Sequence, residues 1–194
     1  MTASVFTASP SEMQAIAAVM DKGFQDDPTV RWAAATQEDF EALHHRFVEI
    51  CARPAFAVGG VHVLEGCKGA AVWYPPGVAL DVGALEAIFA TASRQDRIGA
   101  FFDLLEACEP FRPKHDYWEL ELLAVDPACQ GQGLGAALLA HGLGICDRAG
   151  QPVYLESSNP ANLSIYRRHG FECLAEVQLP GTPKRFPMLR AARG

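Results

Sequence analysis

Basic residues are scarce in this chain: 16 lysines and arginines stand against 23 aspartates and glutamates, a formal net charge of −7. Nucleic acid is therefore a poor partner, because holding a phosphate backbone takes a basic face. A cationic small molecule suits the balance. Long apolar runs are missing too. None reaches the roughly 18 residues of a membrane span. The N-terminus "MTASVFTASPSEM" has neither a basic start nor an apolar signal core. The expectation is a cytoplasmic protein with no membrane contact. The cysteines, Cys51, Cys67, Cys108, Cys129, Cys146 and Cys173, include no C-x-x-C pair. They read as buried thiols in a reducing compartment. His44-His45, His115, His141 and His169 lack metal-ligand spacing, so no metal is expected.

What is present suits one domain over residues 1–194, with 49% hydrophobic and 20% charged residues. No repeat, low-complexity tract or linker interrupts it. "SPSEMQAIAAVMDKGF" reads as a helix, with Ser9 as N-cap, Pro10 in the first position and Glu12 completing a capping box. Pro28 in "QDDPTVRW" breaks it. "QEDFEALHHRFVEICA" is a second helix with Phe40, Leu43, Phe47 and Ile50 on one face. "GVHVLEGCKGAAVWYPPG" is a hairpin, and "DVGALEAIFATAS" and "RQDRIGAFFDLLEACEP" are helical. "HDYWELELLAVDP" is a strand whose alternation puts Leu120, Leu122 and Ala124 on one face and Glu119 and Glu121 on the other. A helix from Leu134 to Gly150, the strand "PVYLESS", the helix "NPANLSIYRRHG" and the strands "FECLAEVQLP" and "RFPMLRA" complete a mixed sheet with helices packed on it.

The densest signal is "VDPACQGQGLGAALL", where Gly131, Gly133 and Gly135 alternate at a strand-to-helix junction. Each glycine costs chain entropy on folding, so repeated glycines imply a geometric need. Close backbone approach to a phosphate at a helix N-terminus meets that need. A Rossmann turn is a rival reading, with Glu156 about 20 residues on as the ribose-binding acid. The spacing is not G-x-G-x-x-G, however, and "DPACQ" separates the glycines from the strand. No Gly-Lys-Ser/Thr follows, which excludes a P-loop.

"LLAVDPACQGQGLGAALL" resembles the acetyl-CoA signature Q/R-x-x-G-x-G/A of the GNAT superfamily of N-acetyltransferases, with Gln130, Gly133 and Gly135 in the fixed places. "LESSNPANLSIYRRHGF" resembles the superfamily's next motif, and the two together cover Tyr117 to Phe171. With "GAAVWYPPG" and the helices after it, the chain looks like the puromycin N-acetyltransferase branch. The resemblance implies the α/β GNAT (acyl-CoA N-acyltransferase) fold, a mixed central sheet of about six or seven strands flanked by helices. It implies acetyl transfer from acetyl-CoA to a primary amine of a small molecule, such as a puromycin-like aminonucleoside, in a ternary complex. Monomer and homodimer both stay open.

The resemblance also implies roles. Backbone N–H groups of Gly131, Gln132, Gly133, Leu134, Gly135 and Ala136 hold the pyrophosphate, and Gln130 adds a polar contact. Bulk at Gly133 or Gly135 is expected to crowd this site. Leu123, Ala124 and Val125 pair with the pantetheine arm through their backbone where the central strand splays. Tyr166 is the general acid, since a phenol stays protonated at neutral pH. Asn159 and Asn162 contact the cofactor, although Asn159 followed by Pro160 equally reads as a helix cap. A carboxylate among Glu119, Glu121 and Glu156 is the base or the ammonium anchor. The helix break and the hairpin supply an acceptor pocket from Phe24, Asp26, Asp27, Trp73 and Tyr74. A CoA-binding sensor without catalysis and a dinucleotide-dependent oxidoreductase remain as alternatives.

Overall fold

The computed structural model describes residues 3–34, 36–91 and 94–193. Its sheet comprises β1 (Val5–Thr7), β2 (Val61–Leu64), β3 (Gly69–Tyr74), β4 (Trp118–Val125), β5 (Val153–Ser157), β6 (Glu172–Cys173) and β7 (Phe186–Arg190). The strand order is β1-β2-β3-β4-β5-β7-β6. Among these strands only β4 and β5 pair in parallel. That single parallel step is unlike a doubly wound sheet, so the Rossmann reading fails on topology. The unforeseen strand is β1. It is three residues long and pairs with Leu64, Val63 and His62, too short for alternation to show.

The helices are α1 (Met13–Phe24), α2 (Pro28–Ala33), α3 (Gln37–Phe56), α4 (Val82–Phe89), α5 (Gln95–Glu106), α6 (Leu134–Arg148) and α7 (Leu163–Arg168). Ala92 and Ser93, the end of one expected helix, lie outside the described residues. The Ser9 N–H donates to Glu12 Oε2 at 2.8 Å, closing the turn that leads into α1. Pro28 breaks one helix but also starts another. It occupies the first turn of α2, and Asp27 caps that helix by accepting from the Thr29 and Val30 N–H groups.

Helices cover both faces of the sheet. On one face α1 and α3 bury Ile16, Met20, Val48 and Cys51 against Val63, Val72, Leu122 and Ala124. On the other, α6 and α7 bury Leu138, Leu139 and Leu143 against Trp73, Leu120, Leu155 and Met188. Each fully buried side chain of this size contributes roughly 1.5–3 kcal/mol. The fold is therefore held by the central strands between two helical layers. A satellite cluster joins Ile50 of α3 to Leu85, Ile88 and Phe89 of α4 and Phe101 of α5. The deepest face of α3 is not the expected one. Val48, Cys51, Ala52 and Ala55 are fully buried against the sheet, and Ile50 and Phe47 turn toward the satellite cluster.

Two irregularities of β4 set the geometry around it. Val72 pairs with Leu122 but Trp73 pairs with Leu120, so Glu121 is an extra residue, a β-bulge. Leu120 packs with the α6 core, whereas Leu122 and Ala124 pack with the α1–α3 core. The expected shared face of Leu120, Leu122 and Ala124 is thus wrong, because the inserted residue flips the alternation. Second, β4 pairs with β5 only from Trp118 to Leu120. Beyond that point the strands diverge, leaving one edge of residues 121–125 without a strand partner.

Candidate active site

The glycine loop joins β4 to α6. Gly131 and Gly133 have φ of 76° and 77°, a left-handed conformation that strains other residues. Nothing lies within 4 Å of where a Cβ would sit at either position. At Gly135 a Cβ would make ordinary contacts, 3.6 Å from Ile165 and 3.7 Å from Val125. A side chain at 131 or 133 would therefore meet no protein neighbour, and any crowding would fall on a ligand. The geometric need at 131 and 133 is handedness, with open space beyond. Gly133 is the N-cap of α6 and provides no side-chain cap, so the N–H groups of Leu134, Gly135 and Ala136 lack capping partners. Gln132 is exposed in the same loop. The Gln130 side chain folds back, its Nε2 donating to the Val125 carbonyl at 3.3 Å. It ties the loop to the strand end.

A cavity opens where β4 and β5 diverge, lined by Leu120, Glu121, Leu122 and Leu123 from β4 and by Leu155, Glu156 and Ser157 from β5. Ala124 and Val125 continue the free edge of β4 outside this lining. The candidate carboxylates differ sharply in their surroundings. One Arg112 nitrogen reaches both oxygens of Glu119, at 2.7 and 2.8 Å. A second reaches Glu156 Oε1 at 3.0 Å, and Nε lies 2.8 Å from Glu109 Oε1. Arg185 Nε donates to Glu156 Oε2 at 2.7 Å, and the Tyr154 hydroxyl donates to Oε1 at 3.1 Å. Glu119 and Glu156 are thus ion-paired with half-buried arginines. Glu121 makes no ion pair among the described residues. Its one close polar contact there is the Cys51 thiol, 3.7 Å from Oε1. Burial and then the nearby Glu119 charge push its carboxyl up to about 7.

Tyr166 also lines this cavity. It stands on α7, is 8% exposed, and packs edge-on against Phe171. Burial, and secondarily the Asp27 charge, raise its phenol well above the ordinary range, so it carries a proton throughout the neutral range. Asn159 proves to be the cap: its Oδ1 accepts from the Ala161 N–H at 3.0 Å. Asn162 is exposed at the cavity rim.

An acetyltransferase (GNAT) domain model matches residues 86–173, from α4 to β6. An uncharacterized N-acetyltransferase of Schizosaccharomyces pombe is 25% identical over 186 residues, 89% of this chain and 75% of that protein. A mycothiol acetyltransferase of a Mycobacterium strain is 42% identical over 64 residues, 29% of this chain and 21% of that protein. The crystal structure described as histone acetyltransferase HPA2 and related acetyltransferase from Corynebacterium glutamicum superposes with a TM-score of 0.73 at 25% identity, covering 100% of this chain and 98% of the other. The chain carries a GNAT acetyltransferase domain.

In this GNAT domain the rest of the cavity is built by the N-terminal helices. Phe24, Val30, Phe40, Phe47, Phe89 and Phe101 form much of its wall. Phe24 and Asp27 stand where the sequence put them, but the Asp27 carboxylate is committed. Besides capping α2 it accepts from the Ser158 hydroxyl at 2.5 Å. Trp73 and Tyr74 do not line the cavity. Trp73 is fully buried under α6, where a Cβ at Gly142 would lie 2.3 Å from its ring. Tyr74 faces α3 and donates its hydroxyl to the Cys51 carbonyl at 2.7 Å. The hairpin that supplies them ends on the far side of β4. The wall residues that sequence reasoning missed looked like helix core stripes.

Proposed function

We propose that this acetyltransferase moves the acetyl group of acetyl-CoA onto the primary amine of a small, largely apolar molecule, by direct attack in a ternary complex. The observation that carries the reading is Glu121. It is the one carboxylate of the three without a cationic partner among the described residues, it lines the cavity at the divergence of β4 and β5, and Tyr166 lines the same cavity. Acetyl-CoA supplies the activated acetyl group as a thioester. The chain fits it in two ways. The α6 N-terminus offers uncapped N–H groups beside open space for the pyrophosphate. The free edge at Leu123, Ala124 and Val125 offers strand-like hydrogen bonds to the amides of the pantetheine arm.

Glu121, raised to about 7, accepts a proton from the arriving ammonium, so that the nitrogen attacks as a free amine. The same burial that raises it makes a neutralising cation welcome. Tyr166 keeps its proton at this pH and gives it to the sulfur as the carbon–sulfur bond breaks. Arg112 and Arg185 pair with Glu119 and Glu156, which leaves Glu121 as the carboxylate open to the amine. A small acceptor suits the enclosure of the cavity by α1, α2, α3, α4 and α5.

The test is an amine panel, a puromycin-like aminonucleoside included, followed by release of the CoA thiol. Apolar primary amines are expected to be acetylated in a Glu121-dependent manner. Acetyl-CoA binding without thiol release for any amine would favour a non-catalytic CoA sensor.

A further inference from the structure

His44 lines the acceptor cavity from α3, with its side chain only 3% exposed. The rings of Phe40, Phe24 and Phe47 pack about it at 5.0, 5.4 and 6.0 Å. Its Nδ1 lies 2.7 Å from Asp21 Oδ1, and the other oxygen of Asp21 lies 2.8 Å from Nδ1 of His45. A carboxylate only accepts, so Nδ1 is the donor to Asp21 and the ring orientation is set. That leaves Nε2 buried with no partner among the described residues. A second orphan lines the same cavity. Thr29 Oγ1 is buried and unpartnered among the described residues, on a residue 4% exposed. A buried polar atom without a partner loses its hydration for nothing in return. Two of them on one cavity mark where a ligand completes the bonds.

The spacing along α3 tells where on that ligand the bonds fall. Cys51, which touches Glu121, follows His44 by seven residues, two helical turns or about 10 Å. The amine at Glu121 and the group at His44 are therefore opposite ends of the acceptor, with the wall at Phe47 between them. The chemistry of the far group follows from the orphans. A carboxylate would meet the Asp27 carboxylate, and Arg185, the cation in the cavity wall, is already paired with Glu156. A second ammonium would lose its water against phenylalanine rings. A hydroxyl can either donate to Nε2 or accept from it, and it can accept from a threonine hydroxyl, so it satisfies both.

We propose that the acceptor is an amine carrying a hydroxyl at the far end of an aromatic or similarly apolar body, and that His44, with Thr29, is the specificity-determining pair that reads that hydroxyl. This rests on the acetyl-transfer reading for the role of Glu121. It is tested with a matched pair, 4-(2-aminoethyl)phenol and 2-phenylethylamine, which differ by one hydroxyl. Both turnover with acetyl-CoA and equilibrium binding in the presence of CoA are measured. The wild-type protein is expected to favour the phenol by about tenfold or more in kcat/KM and in Kd, the increment of one well-made hydrogen bond. His44→Phe should reduce that ratio to within about twofold, chiefly through KM. Thr29→Val should reduce it partway, and decides the matter if His44→Phe does not fold. A purely structural role for His44 would lower both amines together and leave the ratio standing. Equal use of the two amines by wild type, a ratio that survives substitution, or no binding of either amine each overturns the proposal. A His44-dependent preference in binding without any acetylation sustains it and sinks the acetyl-transfer reading instead.

Discussion

The two halves of the proposed site, one for acetyl-CoA and one for an amine, are made of different materials. The half that faces acetyl-CoA uses main chain: glycines in a left-handed loop, the open N-terminus of α6 and a strand edge freed by divergence. The half that faces the amine uses side chains, contributed by helices far apart in the chain. Backbone recognition demands only shape, so it tolerates many sequences and serves one ligand. Side-chain recognition can be rewritten residue by residue without disturbing the loop, which suits a scaffold hosting many acceptors. The proposed catalytic pair stands at the seam. Glu121 owes its position to a bulge in β4, and Tyr166 to the helix after β5.

The largest expected effect breaks the seam. Glu121→Gln should lower kcat/KM by about 10³-fold, the middle of the range for a general base. Wild-type activity should rise with pH through about 7 as Glu121 ionises, and the variant should lose that limb. Stability moves the other way. The folded protein keeps this proton up to about 7, while the unfolded chain releases it near 4.5. Stability present below 4.5 is thus lost as pH rises through 7. Glu121→Gln removes that loss and should raise Tm at pH 8 by a few degrees. An unchanged pH limb in the variant would remove Glu121 as the base.

Tyr166→Phe comes next. Loss of the proton donor should reduce kcat by about 10²-fold, with the Kd for acetyl-CoA little changed, as read by calorimetry. A kcat equal to wild type would reduce Tyr166 to a packing residue beside Phe171.

This division also explains what could be read from the chain alone. The glycine loop and the "NPANLSIYRRHGF" segment are contiguous, so their spacing stands in the sequence. The bulge at Glu121 is not contiguous, because it exists only in the register with Val72 and Trp73. Strand alternation read without that partner mis-sorted Leu120 from Leu122. The choice among Glu119, Glu121 and Glu156 depended on Arg112 and Arg185, which reach them from 7, 44 and 29 residues away. Nothing local reveals which carboxylate an arginine will neutralise. Trp73 and Tyr74 looked like a pocket because aromatics beside a proline turn resemble one. Their burial is decided by the helices that land on β3, α6 above one and α3 below the other.

Gly133→Val tests the main-chain half alone. A β-branched residue at φ of 77° is strained by roughly 1–2 kcal/mol, and the space into which it projects is empty of protein. The fold should survive with a modestly lower Tm. The KM for acetyl-CoA should rise about tenfold, while the phenol-to-phenyl selectivity of the acceptor half stays at its wild-type value. A selectivity that fell with the affinity would show the halves to be coupled, and their separation into independent recognition surfaces would be wrong.

The smallest effect comes from a second buried histidine, which serves as the control for the first. His62 on β2 is 1% exposed and meets His141 edge-on at 4.7 Å, away from the cavity. Burial, then the charge of His141, pulls it down to about 4. The unfolded chain binds its proton near 6.5, so between pH 6.5 and 4 the unfolded state gains protons that the fold refuses. Stability intact above 6.5 is lost as pH falls, by about 1–3 kcal/mol at pH 4. His62→Phe should flatten that limb of the Tm–pH curve and leave the acceptor ratio as it was. His44→Phe should change the ratio. Two buried histidines in one small domain would then be separated by function, one facing a ligand and the other merely enclosed. Loss of acceptor selectivity in His62→Phe would mean that the ratio reports core integrity, and the case for His44 as a reader of the acceptor would fall with it.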